Sequence, residues 1–518
     1  MLAGDMLRRS AKRFPDKPAI ICGDETLTYR ALDERANALA HALLALGLPK
    51  GSKVAMLSRN VTDYGTVFFG VARTGYVLVN VSVLYAPEEL TFVLNKADAD
   101  VLIFDPFLAE KVAAVKGDVP RIKTFISLSD APANIGAKIG AKTIDDFIAG
   151  APATLPDVKI AESDPFCMTY TGGTTGRPKG VLCSHRARDI TAHTVMVEEA
   201  IDERDVVAIV TPLFHVAALN IMFQPAILAG ATTAFLTRWS APGFMEMAER
   251  TGVTAAFMVP TQASTLVRDP EFDAAKLKTW RKLSFAGAPM PDWVQRELKA
   301  KLPNLLLTQI YGQSEMGVIC VIRDWYLPEK LGAVGRQAYN VDIAVVDPQG
   351  KPVKVGEIGE IVSHGDNLML EYYNEPEQTK GFFKLGDGWG WSGDLGVMDK
   401  DGFVTLVDRS KDMIISGGEN IYPMEIENAL YEHPAVAECA VFGVPDDKFG
   451  EVPIAYVLLK DKQTVSADEL VEHCARLLAR FKRPRSVTFV TDFPKTPIGK
   501  IQKNILREPY WSAQKKKI

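Results

Sequence analysis

The sequence has no Cys-x-x-Cys pair. Its six cysteines (Cys22, Cys167, Cys183, Cys320, Cys439 and Cys474) are scattered, which argues against a zinc site or a disulfide framework and fits a reducing cytoplasm. No apolar run approaches the roughly 18 residues of a membrane span. The opening stretch "MLAGDMLRRSAKRFPDK" meets Asp5 and a run of basic residues before any apolar core of signal-peptide length. The closing "QKKKI" reads as a solvated end. Strong charge of one sign is also missing. With 59 basic and 64 acidic residues the net charge is −5 and the pI about 5.9, which argues against a nucleic-acid or anionic-membrane binder. There is no internal repeat and no low-complexity linker.

What is present is an ordinary globular composition, 47% hydrophobic and 24% charged over 518 residues. That length accommodates two to four structural units at roughly 100–200 residues each. From Tyr29 to Leu46, Leu32, Ala36, Leu39, Ala40, Leu43 and Leu44 fall at helical spacing. "KVAML" reads as a strand, "YGTVFFGVARTG" as a helix, "VLVNVSV" as a strand, and "EELTFVLNKADADVLIFD" as a helix then a strand. Such alternation predicts α/β layers with largely parallel strands, continuing to about Leu307. Between about Gly332 and Asp408, "VDIAVVD", "GEIVSHG" and "GFVTLVD" predict a β-rich unit. From Arg409 onward a small α+β unit is expected. The expected division is 1–408 and 409–518.

The segment "MTYTGGTTGRPKGV" (Met168–Val181) concentrates glycines, threonines and one lysine. As a whole it fits neither a packed helix nor a regular strand; the preceding "FCMTY" reads as a strand ending at Tyr170. Glycines let several amides point into one concavity, hydroxyls add donors and Lys179 adds charge, a combination suited to a polyphosphate. The P-loop of nucleotide hydrolases is excluded by spacing, because Pro178 precedes Lys179 and Gly180 follows it. Pro178 also disfavours helical geometry at Arg177. Four other segments set polar groups in turns: "IYGQSEMG", "GWGWSGDLG" (placing Asp394 in a tight turn), "VDRSKDMIISGGENIYPMEIE" and "PKTPIGKIQK".

In their order and spacing these five motifs resemble those of the adenylate-forming superfamily, and the overall look is that of its AMP-forming acyl- and aryl-CoA ligases. The resemblance covers essentially the whole chain. It implies a large N-terminal domain of layered α/β subdomains with a β-rich subdomain, and a small mobile α+β C-terminal domain. It also implies an acid–thiol ligase that uses ATP, Mg²⁺ and coenzyme A on a small carboxylic acid, in the cytoplasm, as a monomer or homodimer. An enzyme loading a carrier protein is the alternative, and a nucleotide binder that has lost catalysis a more distant one.

Carried over position by position, the resemblance implies that Thr171, Gly172, Gly173, Thr174, Thr175, Gly176 and Lys179 hold the β- and γ-phosphates. Gly172 stands where the family has Ser, which removes one hydroxyl contact of about 0.5–1.5 kcal/mol. Tyr311 stacks on adenine beside Gly312, Ser314 reaches the phosphates, and Glu315 holds Mg²⁺, a hard cation that prefers oxygen ligands. Gly287, Ala288 and Pro289 contribute backbone contacts near adenine. Asp394 and Arg409 bind the ribose, a carboxylate accepting from two adjacent hydroxyls. Lys411 is the hinge and Lys500 the catalytic lysine. Ser416, Gly417, Gly418 and Glu419 line the pantetheine path, and Phe449, Phe481 and Arg483 hold the CoA nucleotide. His215, in "PLFH", gates the acyl pocket or orients the carboxylate, though Val216-Ala217-Ala218 replaces the glycine usual after it. Val216, Phe257, Ile310 and Met316 make that pocket apolar.

Overall fold

The computed structural model describes residues 1–171, 178–288, 290–327, 329–330, 332–409, 411–417, 419–495 and 501–511. The chain divides into two compact units. The first takes Met1–Gly173, Arg177–Ile343 and Ser363–Gly390; the second takes Ala344–Val362 and Trp391–Ile518.

In the first unit, two sheets are built mainly from parallel strands joined by helices. One runs Ala333–Gln337, Gly317–Arg323, Leu306–Gln313, Lys282–Phe285, Ala255–Met258, Val206–Ile209, Thr232–Phe235, Pro18–Cys22 and Glu25–Thr28. It is parallel from Pro18–Cys22 to Leu306–Gln313. The other orders Glu371–Tyr372, Lys179–Ser184, Pro165–Thr171, Val77–Val81, Lys53–Leu57, Ala99–Phe104, Thr124–Ser127 and Lys142–Thr143. Alternation along the strands divides the first sheet's faces. Ala256, Met258, Leu283, Phe285 and Leu307 join Phe244, Leu266, Val294 and Leu298 from three helices in one core. Phe257, Ser284 and Thr308 are register partners and therefore face the other way, with Ile310 two residues further along the same face.

The helix His185–Glu198 packs against both Gly317–Arg323 and Pro165–Thr171. Its first turn is capped by Ser184, whose hydroxyl accepts from Ala187 N. Arg188 on this helix is 2% exposed. Its guanidinium lies 2.6 Å from Cys183 Sγ.

The sequence expectations hold for the helix Tyr29–Leu44, the strand Lys53–Leu57, the helix Asp63–Val71, the strand Val77–Val81, the helix Pro87–Lys96 and the strand Ala99–Phe104. The glycine-rich segment departs from expectation at both ends. The strand Pro165–Thr171 reaches one residue past Tyr170, and Lys179–Ser184 pairs back on it with Thr171 opposite Lys179. Its apolar flanks are the two arms of a hairpin, and only residues 172–177 lie outside the described residues.

In the second unit, Asp342–Val346, Gly359–His364, Gly390–Met398 and Phe403–Arg409 are neighbours in that order. A further sheet of Glu419–Ile421, Ile414–Ser416, Gly450–Leu459, Val436–Asp446 and Val487–Phe489 carries the helices Pro423–Tyr431 and Ala467–Leu477 over a core of Ile426, Leu430, Val441, Val457, Leu470 and Cys474. The fold class is therefore the expected mixture of layered α/β, β-rich and α+β parts. Asp408, the last residue of the expected first domain, accepts at Oδ2 from Met424 N at 2.8 Å. Asp408 is 4% exposed, and burial raises its pKa to about 6. Among the described residues, no helix is long and apolar enough to cross a membrane.

Glu199, beside the helix end, is buried, and burial pushes its pKa to about 7. An acid whose folded pKa lies above its unfolded value holds extra protons in the fold between those two values. Stability therefore falls as pH rises through that window, by about 3 kcal/mol in full. Denaturant unfolding of the wild type and Glu199→Gln at pH 5 and pH 8 checks this. The wild type should lose stability relative to the variant at pH 8, and an unchanged difference contradicts it.

Candidate active site

In open parallel sheets, ligands gather beyond the carboxyl ends of the strands. In the first unit, Thr171 ends one strand, His215 follows Val206–Ile209, Gly287 follows Lys282–Phe285, and Tyr311 and Gly312 sit at the end of Leu306–Gln313. Gly287 and Ala288 are exposed. Gly287 has φ +87°, a backbone conformation that disfavours any side chain.

The strands Leu306–Gln313 and Gly317–Arg323 form a hairpin whose turn carries Ser314, Glu315 and Met316. The register shifts between Tyr311 and Gly312, and a Cβ on Gly312 would collide with the Gly317 carbonyl oxygen. The turn is held from a distant segment. Met369 N donates to Glu315 O at 2.8 Å, and Asn367 Nδ2 donates to Met316 O at 2.5 Å. Met316 and Ile310 are buried, whereas Tyr311, Ser314 and Glu315 are half-buried.

Lys179 stands opposite Thr171 and is half-buried. Burial lowers its pKa, a shift that Glu315 and Glu375 partly oppose. Its ammonium lies 5.2 Å from the Tyr372 ring centroid and, among the described residues, makes no ion pair or hydrogen bond. The Tyr372 hydroxyl donates to Glu315 Oε1 at 2.8 Å, while Glu315 Oε2 meets no protein donor among the described residues. No group of three or more His, Cys, Asp or Glu able to hold a metal ion occurs among them. One carboxylate with an oxygen open among the described residues, near an ammonium that pairs with none of them, suits Mg²⁺ carried by a polyphosphate, since Mg²⁺ keeps waters and takes few protein ligands.

His215 Nδ1 accepts from Ala217 N at 3.2 Å, so the neutral ring carries its proton on Nε2. Burial lowers its pKa to about 4, leaving the imidazole uncharged at neutral pH. The helical turn Ala217–Phe223 that follows packs against Val206–Ile209 and Ala255–Met258. Val216 precedes that turn, and Phe257 and Ile310 share one face of the sheet.

The second unit holds the remaining expected residues. Asp394 lies not in a tight turn but within the strand Gly390–Met398, directly opposite Arg409. Arg409 Nε sits 3.1 Å from Asp394 Oδ1. The turn expectation came from four nearby glycines, yet two of them serve close packing. A Cβ on Gly390 would fall 2.6 Å from the Phe382 ring, and one on Gly396 would fall 2.9 Å from both Ile361 Cδ1 and Thr405 O. Lys411 is exposed. Ser416 and Glu419 face each other across a short hairpin, and Gly417 N donates to Phe449 O at 2.7 Å. Phe449 is half-buried, with the Arg485 guanidinium 5.2 Å from its ring centroid. Phe481 is 44% exposed, and Arg483 Nη2 donates to Ala475 O at 3.3 Å. Gly172, Gly173, Thr174, Thr175, Gly176, Pro289, Gly418 and Lys500 lie outside the described residues.

Sequence reasoning missed Tyr372 entirely. Its neighbours in "EYYNE" give no periodic or motif signal, and only the fold brings it between Lys179 and Glu315.

The profile of the AMP-binding enzyme family matches residues 7–373, and that of the AMP-binding enzyme C-terminal domain matches residues 425–500. The chain is 37% identical to a feruloyl-CoA synthase of Amycolatopsis sp. over 97% of this chain and 98% of that protein. It is 34% identical to a long-chain fatty-acid–CoA ligase of Mycobacterium tuberculosis over 98% of each. The solved structure of an anthranilate–CoA ligase in complex with anthranoyl-AMP superposes with a TM-score of 0.88 at 27% identity, covering 99% of this chain and 98% of that one. On these matches, the chain belongs to the AMP-binding enzyme family of adenylate-forming acyl-CoA ligases.

Proposed function

We propose that this AMP-forming carboxylate–CoA ligase activates an apolar aliphatic or aromatic acid in two half-reactions. In the first, a carboxylate oxygen attacks the α-phosphorus of ATP, the bond to the bridging oxygen breaks, and pyrophosphate leaves with its electron pair. In the second, the CoA thiol loses its proton, its sulfur attacks the acyl carbonyl, and AMP leaves. The observation that carries this reading is the half-buried Lys179 ammonium beside an open Glu315 oxygen. Opposite charges held near each other but unjoined suit a metal–polyphosphate.

Lys179, Thr171, Ser314 and the loop Gly172, Gly173, Thr174, Thr175, Gly176 bind the phosphates. Glu315 would hold Mg²⁺, which supplies charge neutralisation at the phosphates when bound. Lys500 stabilises charge developing in the first step. Tyr311, Gly312, Gly287, Ala288 and Pro289 receive adenine, and Asp394 and Arg409 the ribose. Neutral His215 orients the carboxylate without neutralising it. Val216, Phe257, Ile310 and Met316 surround the acyl group. Lys411 is the hinge between domains 1–408 and 409–518; Ser416, Gly417, Gly418 and Glu419 guide pantetheine; Phe449, Phe481 and Arg483 hold the CoA nucleotide. The protein acts in the cytoplasm as a monomer or homodimer, with no nucleic-acid partner.

Similarity to a feruloyl-CoA synthase and a fatty-acid–CoA ligase supports an apolar acid. Turnover of an acid panel (aryl, arylpropenoic, medium- and long-chain, dicarboxylic) with MgATP and either CoA or a phosphopantetheinylated carrier protein tests the reading. We expect CoA thioesters, with the highest kcat/KM for uncharged-tail acids. Preference for a dicarboxylate contradicts the apolar pocket, and turnover with the carrier alone favours the carrier-loading alternative.

A further inference from the structure

Three chain segments far apart in sequence meet at Tyr372. Its strand, Glu371–Tyr372, pairs antiparallel with the arm that begins at Lys179, with Tyr372 opposite Val181. The flanking backbone extends that attachment, since Tyr373 N donates to Gly180 O and Met369 N to Glu315 O, both at 2.8 Å. The same short segment thus grips the phosphate-loop hairpin on one side and the Glu315 turn on the other. The side chain repeats the pattern, with its face toward the Lys179 ammonium at 5.2 Å and its hydroxyl on Glu315 Oε1 at 2.8 Å. Its own placement is fixed by backbone and packing. Tyr372 N donates to Thr379 Oγ1 at 3.0 Å, and its ring meets Phe382 edge to face at 6.3 Å.

A lysine and a glutamate close enough to influence one another would lower their energy by moving into direct contact. Here an aromatic ring engages the cation and a phenol engages the anion, so neither needs the other. We propose that Tyr372 is a positioning residue that keeps Lys179 and Glu315 apart and aimed at a metal–nucleotide, with Glu315 Oε2 left open for the cation. This rests on the reading of Glu315 as the carboxylate that holds Mg²⁺. A hydrogen-bond donor behind a metal-binding carboxylate fixes its orientation, and losing such a partner typically weakens metal affinity by roughly 10–100-fold.

The test uses the full-length protein with α,β-methylene-ATP, which cannot be cleaved at the α-phosphorus, and Mn²⁺ binding read by electron paramagnetic resonance. Tyr372→Phe keeps the ring under Lys179 and the contact with Phe382 and removes only the hydroxyl. It should weaken Mn²⁺ binding about tenfold, leave affinity for the metal-free nucleotide within about twofold, and spare thioester formation from supplied acyl-adenylate. Tyr372→Ala removes the ring as well and should weaken metal-free nucleotide binding too, because Lys179 is then free to pair with Glu315. Melting temperatures confirm that both variants fold. Wild-type Mn²⁺ affinity in Tyr372→Phe overturns the inference, as does equal loss in both half-reactions. Glu315→Gln separates the two levels. If it keeps wild-type Mn²⁺ affinity, the metal reading of Glu315 fails; if it loses affinity while Tyr372→Phe does not, only the role of Tyr372 falls.

Discussion

Lys500→Ala should slow acyl-adenylate formation by about 10²- to 10³-fold, the range seen when one preorganised charge-stabilising donor is removed. Attack on the α-phosphorus spreads negative charge onto the leaving pyrophosphate, and a positioned ammonium meets that charge only as it develops. The second half-reaction expels AMP from a carbonyl and has no such need at Lys500. Thioester formation from supplied acyl-adenylate and CoA should therefore stay within about threefold of wild type, roughly the effect of a lost surface contact. Pre-steady-state measurement of each half-reaction separates the two. Equal loss in both would contradict the division of roles and make Lys500 a structural lysine. The context "PKTPIGKIQK" carries this expectation.

Gly312→Ala should lower both the stability of the first unit and the rate of adenylation. Its Cβ would run into the Gly317 carbonyl oxygen and lie 3.1 Å from Val318 Cα, all backbone atoms that cannot rotate aside. The hairpin must open, at a stability cost of about 3 kcal/mol. Opening it displaces Tyr311 on one side and Glu315 on the other, and a shift of about 1 Å at such groups costs about 100-fold in rate. Gly381→Ala is the control, because a Cβ there meets nothing within 4 Å and helix propensity improves. Denaturant unfolding and pyrophosphate release should both fall for Gly312→Ala and hold for Gly381→Ala. A Gly312→Ala protein of wild-type stability and rate would show that the register shift at Tyr311 does not set the site.

Local pattern made much of this legible from sequence. The helix Tyr29–Leu44 follows from its apolar spacing, and Leu306–Gln313 from the apolar run before the Tyr311–Glu315 motif. Glycine was the ambiguous letter. At Gly287 it marks a positive φ after a strand, as a turn reading expects. At Gly390 and Gly396 it marks close packing against Phe382 and Ile361, so the segment around Asp394 is strand rather than turn. Nothing local distinguishes the two uses, since both depend on what comes near in space. The same limit hid Tyr372, whose significance lies in Lys179 and Glu315, 193 and 57 positions away. It also hid the buried Glu199, whose raised pKa is a property of its surroundings.

Attack of a carboxylate on the α-phosphorus of ATP, followed by displacement of AMP by CoA, fixes where each carboxyl oxygen must end. Turnover of an acid labelled with ¹⁸O in both carboxyl oxygens tests it most directly. One labelled oxygen should appear in AMP, the other should remain in the thioester carbonyl, and pyrophosphate should be unlabelled. Label in inorganic phosphate with ADP as the nucleotide product, or AMP without label, would contradict the account.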